Sequence, residues 1–187
     1  MKRNLMWTVG LLVLASFASS LAADRQIPLD SARVIAREDG EARVVLKASD
    51  LSFLTGRLVK RASLVIPVGA RTAPRDLNLY IYAAGRSWDA GSVGWDHPWR
   101  RAGGEWNLDH YQIVQITSGG RPGELRFDVS SILREIAEGR EPNVGFFLLP
   151  DGGEEGGRFT PEDRQFVGSL QGAYLEVSTT RMPRARL

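Results

Sequence analysis

The chain of 187 residues is 43% hydrophobic, 25% charged and 9% aromatic, a globular composition that excludes a collagen-like or wholly disordered polymer. With Lys2 and Arg3 set aside as part of an N-terminal leader, 22 basic side chains face 22 acidic ones, which argues against nucleic acid as the main partner, because phosphate binding needs a surplus of Lys and Arg on one face. Cysteine is absent, and with it any disulfide framework, thiolate metal site or acylated cysteine at the end of the leader.

Residues 1–22 read as a signal peptide: two positive charges, an apolar run over 5–17, and small residues at Ser20 and Ala22 with cleavage expected after Ala22. The run is shorter than the roughly 18 apolar residues of a membrane-spanning helix, and no later stretch approaches that length. Residues 23–180 are expected to form one domain and 181–187 a basic tail. The protein is therefore expected to be secreted, into the extracellular space or the periplasm and cell envelope, with no transmembrane segment after cleavage.

Two-residue alternation then recurs along the chain. The predicted strands are 32–36, 42–47, 61–68, 77–83, 111–117, 124–129, 144–149, 165–168 and 172–179, separated by turn pairs such as Asp39-Gly40, Gly103-Gly104, Gly119-Gly120 and Pro122-Gly123. Pro67 places its strand at a sheet edge or marks a bulge, since proline donates no ladder hydrogen bond. One helix is predicted near 130–138: Ile132, Leu133 and Ile136 share a face, Asp128 or Ser130 caps it, and Gly139 ends it. The segment 152–160, rich in Gly and Glu, reads as a loop. Many short strands with one helix indicate an all-β, antiparallel sandwich.

Three blocks resemble a known family. Asp50-Leu51-Ser52-Phe53-Leu54 with the strand Ala62-Ser63-Leu64-Val65-Ile66 is the first; Ser87-Trp88-Asp89, followed by Ser92-Val93-Gly94-Trp95 and Pro98, is the second. The third is Phe127-Asp128-Val129-Ser130-Ser131-Ile132-Leu133, then Gly139 and Asn143-Val144-Gly145-Phe146. In this order they are similar to the DNRLRE-type secreted domains, related to carbohydrate-binding module family 96 and the disaggregatase-related repeats. The resemblance covers roughly residues 30–180. It implies a jelly-roll β-sandwich without catalytic activity, found on secreted and cell-surface proteins and in some members binding acidic polysaccharide. It also implies scaffold roles for Trp88, Trp95 and Asp89.

Four of the five tryptophans, Trp88, Trp95, Trp99 and Trp106, lie in one stretch with His97, Arg100, Arg101, His110 and Tyr111. Indole faces stack on sugar C–H surfaces and guanidinium pairs with carboxylates, so this composition suits glycan binding. Trp99 and Trp106 fall outside the scaffold motif, beside charged residues and a Gly-Gly turn, and are expected to be exposed. The candidate ligand-binding residues are accordingly Trp99, Trp106, Arg100, Arg101 and Tyr111. Arg57, Lys60 and Arg61 form a second basic group that could meet a polyanion. The expected partner is extracellular polysaccharide, possible acidic forms included; the alternative is a structural or adhesive protein that packs with envelope proteins or with copies of itself.

Catalysis and metals find less support. Asp89, Asp96, Glu105 and Asp109 are carboxylates of the kind a glycosidase pairs, and His97 or His110 with Tyr111 and Arg100 are the residue types of a polysaccharide lyase, but neither set has a recognised spacing. No G-x-S-x-G, H-E-x-x-H, phosphate-loop or dinucleotide fingerprint is present. Two histidines without cysteine make a poor zinc site. Asp151, Glu154 and Glu155 with their flanking glycines read as a flexible acidic loop, with a structural calcium on their oxygens as the alternative, and no other cofactor is expected.

Overall fold

A computed structural model of the chain describes residues 23–182 except 49, 154 and 169, so the expected signal peptide and residues 183–187 of the expected tail lie outside the described residues. The elements in order are β1 (Ala23–Pro28), β2 (Ser31–Ala36), β3 (Ala42–Lys47), β4 (Arg57–Gly69), β5 (Leu77–Ala84), β6 (Trp106–Ile116), β7 (Gly123–Asp128), α1 (Ser130–Ala137), β8 (Phe146–Leu149), α2 (Pro161–Val167) and β9 (Tyr174–Arg181). A single 3-10 turn, Ser52–Leu54, precedes β4. The strands make two antiparallel sheets, one of four in the order β1-β9-β4-β7 and one of five in the order β2-β3-β8-β5-β6.

Alternation builds the core between them. Ala62, Leu64 and Ile66 of β4, Leu125 and Phe127 of β7, and Leu175 and Val177 of β9 point inward from the first sheet. Val44 and Leu46, Leu77, Leu79 and Ile81, and Phe146 and Leu148 meet them from the second. Val59, Phe159, Phe166 and Leu170 fill the ends. Burial of this set supplies the driving force that a cysteine-free domain needs.

The helix expected near 130–138 is α1. Its Ile132 and Leu133 are buried in the inter-sheet core. Its N-cap position is Val129, without a side-chain cap, and not the expected Asp128 or Ser130: Asp128 accepts the Ser130 amide at 2.9 Å, and the Ser130 hydroxyl accepts the Ala62 amide at 2.8 Å, which ties the start of the helix to β4. Gly139, at φ +72°, ends it as expected.

Three expectations change. The segment expected as a strand over 165–168 instead belongs to α2 and its end. Thr160 and Asp163 form a reciprocal capping box and Pro161 occupies the first turn, a helix start that outweighs the short apolar run. The sandwich thus carries two short α-helices, not one. Third, β1 was not foreseen; it pairs with β9 along its whole length. Pro67 lies in an interior strand and resolves as a bulge: pairing with β9 stops at Val65, and the register against β7 shifts between Pro67 and Gly69. Strand β9 extends through Arg181, the first residue of the expected tail.

Candidate ligand-binding site

The five-stranded sheet carries a second apolar cluster on its outer face. Val45 of β3, Phe147 and Leu149 of β8, and Tyr82 and Ala84 of β5 point away from the main core, alternating with the inward residues of the same strands. The segment 85–105 between β5 and β6 folds over them and buries Trp88 and Trp99; Trp106, the first residue of β6, closes the cluster.

Turn chemistry shapes this cover. Asp89 accepts the Gly91 amide at 2.8 Å. Arg33 of β2 donates to the Ala90 carbonyl at 2.9 Å, and Trp99 Nε1 to the Gly94 carbonyl at 2.9 Å. Gly104 adopts φ +115°, and a Cβ there would stand 2.2 Å from the Phe147 ring, so only glycine lets the backbone lie this close to the sheet.

Arg43 holds the assembly together. Its side chain rises from β3 beneath the cover, 3% exposed. Nη1 donates to the Gly103 carbonyl at 2.8 Å, Nη2 to Glu155 at 2.5 Å and Nε to Gly157 at 3.4 Å, joining segment 85–105 to the loop that follows β8. The guanidinium also stacks over Trp95 at 5.1 Å and Trp106 at 4.8 Å. Burial, then the nearby charges of Arg158 and Arg101, lower its pKa to about 10, so it remains charged at neutral pH. Nothing in the sequence reading marked Arg43; its one signal is a lone arginine inside the apolar run 42–46.

The structure corrects the expected exposure of two candidates. Trp99 and Trp106 are 6% and 9% exposed and pack edge-on or tilted against Phe147 at 5.0 Å and 5.4 Å. The charged neighbours that suggested exposure point outward while the indoles turn in. Arg101 is exposed, yet its guanidinium lies over Trp106 at 5.3 Å and serves as part of the lid. Arg100 is exposed in the cover, with its amide bonded to Glu105 at 3.0 Å. Tyr111 stands on the outer face of β6, 49% exposed, at the solvent end of a ring series through Tyr82 at 5.5 Å to Trp106.

Trp95 is the indole that reaches solvent. It is half-buried and lines an open groove of about 740 Å³ with Ala36, Arg37, Glu38, Asp39, Asp96, Ala102 and Arg158. Arg43 supports it from beneath, and Arg158 lies 5.9 Å from its ring. Within the groove wall Arg37 pairs with Asp39 at 3.3 Å, while Arg158 bonds Glu41 at 2.5 Å. Two cations and three acids therefore surround one aromatic face. The groove carries no surplus of positive charge.

Two other depressions have different chemistry. On the outer face of the four-stranded sheet, a groove of about 460 Å³ runs past Gln26, Arg61, Ser63, Arg126 and Glu176. Its central charges satisfy one another: Arg126 bonds Glu176 at 2.6 Å and Glu124 at 2.5 Å, which holds Glu176 below the ordinary carboxylate range. At the end of the sandwich, His110 and Glu135 line a cleft of about 150 Å³, smaller than the roughly 300 Å³ of ordinary ligand pockets. Arg140 grips Glu135 through both carboxylate oxygens, at 2.5 Å and 2.8 Å, and lowers its pKa.

The expected calcium ligands fall on the loop after β8, where Glu154 lies outside the described residues. The Glu155 carbonyl there accepts from Arg43, which sets a positive charge against that backbone. Among the described residues no group of three or more His, Asp or Glu side chains is arranged to hold a metal ion, and no helix is long and apolar enough to cross a membrane. No protein-family model matches the chain, and no curated protein matches it in sequence.

Proposed function

We propose that the protein is an exported, non-catalytic carbohydrate-binding module of jelly-roll type that recognises extracellular polysaccharide through the groove at Trp95. The observation that carries this reading is the half-buried indole of Trp95, with the Arg43 guanidinium 5.1 Å from its ring, in an open groove lined by both acids and guanidinium groups. A pyranose presents C–H groups to an aromatic face and hydroxyls at its edge, and the surrounding carboxylates and guanidiniums accept and donate to those hydroxyls. The mixed charge favours a neutral or weakly acidic glycan over a strongly anionic one. The open groove leaves its carboxylates in water, as suits binding more than bond cleavage. The signal-peptide pattern and the resemblance to DNRLRE-type domains support export and a binding role.

Affinity electrophoresis in gels cast with neutral or uronate polysaccharides tests the reading. The wild-type protein is expected to be retarded by a neutral polysaccharide more than by a uronate one, and Trp95→Ala to lose at least tenfold in affinity, about 1.4 kcal/mol, without loss of fold. Equal retardation of wild type and Trp95→Ala, or of neither in any glycan gel, would remove the groove from consideration.

A further inference from the structure

The four sheet edges of the sandwich are treated differently by the sequence. Strand β1 carries Asp24, Arg25 and Pro28, and β7 carries Glu124, Arg126 and Asp128. Strand β2 is six residues long, and its Arg33 is drawn across to the Ala90 carbonyl. Charge, proline and short length are the usual means of keeping an edge from pairing with another chain. Strand β6, the outer strand of the five-stranded sheet, is 11 residues long and carries neither charge nor proline over its regularly paired part, Tyr111-Gln112-Ile113-Val114-Gln115-Ile116. These six residues are uncharged, lack Gly and Pro, and are β-branched or aromatic at four positions, a composition that favours strand addition. Above the edge, Tyr111 and Ile113 lie on the outer face at 49% and 40% exposure, next to the half-buried Tyr80.

We propose that residues 111–115 of β6 are a self-association edge, pairing antiparallel with the same strand of a second copy to make one continuous sheet. The occupant follows from charge. A strand resembling β1, β2 or β7 would bring charged side chains against an uncharged edge and leave them unpaired, whereas β6 itself brings none. Two-fold pairing centred on Ile113 sets Ile113 against Ile113, Tyr111 against Gln115 and Gln112 against Val114, keeps outward residues outward on both copies and opposes no like charges. The register shift between Tyr82 and Ala84 leaves 107–110, with Asp109, out of the regular ladder, so the pairing joins residues 111–115 of the two copies and ends before Ile116 would meet His110. Edge and glycan groove share no residue, so the two proposals stand or fall separately.

Sedimentation velocity across about 1 to 200 µM protein tests the edge. The wild-type chain is expected to pass from monomer to dimer over this range, and Ile113→Lys and Gln115→Lys, with unchanged circular dichroism, to raise the dissociation constant at least about tenfold. Because the chain has no cysteine, Ile113→Cys is also expected to give a disulfide-linked dimer on mild oxidation while Asp24→Cys, on the opposite sheet's edge, stays monomeric. A wild-type monomer throughout the series would overturn the proposal, as would lysine variants that associate like wild type or equal cross-linking from both cysteines. Should Ile113→Lys fail to fold, Gln115→Lys and the cysteine pair decide the matter.

Discussion

At the scale of single residues, Arg43 shows how one buried cation can organise a surface through backbone carbonyls. Its three carbonyl acceptors belong to two separate loops, and two indoles cover its faces. Replacing it by methionine keeps the stem but leaves those carbonyls without a donor under the cover. Arg43→Met is expected to cost about 2–5 kcal/mol in the urea transition followed by tryptophan fluorescence, and Arg43→Lys to recover little of it, because an ammonium cannot span three diverging acceptors. A loss under about 0.5 kcal/mol for either variant would show that the cover stands without the guanidinium. In sequence, Arg43 stands out only as a lone arginine inside the apolar run 42–46, which does not say what its guanidinium meets. The same ambiguity governs Trp99 and Trp106, whose charged neighbours suggested exposure although segment 85–105 folds back onto its own sheet.

At the scale of elements, local chemistry explains both what was legible and what was missed. The face of Ile132, Leu133 and Ile136 closed by Gly139 identified α1 in advance. The seven-residue α2 is too short for periodicity, and its signal lay in Thr160, Pro161 and Asp163, residues that read equally well as loop. Asp128, the last residue of β7, has a testable electrostatic role. The Ser130 hydroxyl and amide, with Arg134 and Arg61 nearby, lower its pKa in the folded chain. A carboxylate with a lowered folded pKa stabilises the fold at pH above its unfolded value, about 4, and that contribution disappears as pH falls through the folded value. The melting temperature is thus expected to fall as the solution is acidified below about pH 4, and Asp128→Asn to be less stable than wild type at pH 7 but to lose less on acidification. Parallel acid profiles for the two proteins would exclude this role.

On the scale of the whole molecule, the two apolar clusters share strands. Val44 and Leu46 face the inter-sheet core while Val45 faces the outer one, and Phe146 and Leu148 alternate in the same way with Phe147 and Leu149. The four tryptophans among the described residues all belong to the outer cluster or its cover, so in a protein of residues 23–187 their fluorescence reports on that side alone, whereas far-UV circular dichroism reports on both sheets. In urea the two signals are expected to change together in wild type, because no strand of the outer cluster survives loss of the inner core. In Arg43→Met the fluorescence transition is expected to come first, as the cover opens over an intact sandwich. Coincident transitions in both proteins would mean that the cover and the sheets unfold as one unit regardless of Arg43.

Alternating apolar residues and punctuating glycines determined, without coordinates, that the chain forms antiparallel sheets with a helix after residue 129; these signals are local and repeat every two or four residues. Which side of the five-stranded sheet the tryptophan-rich segment covers, which indole is left for solvent and which edge stays uncharged were decided only by tertiary structure. Each depends on contacts between residues far apart in the chain, such as Arg43 with Gly103 and Glu155, and no short window of sequence contains both partners.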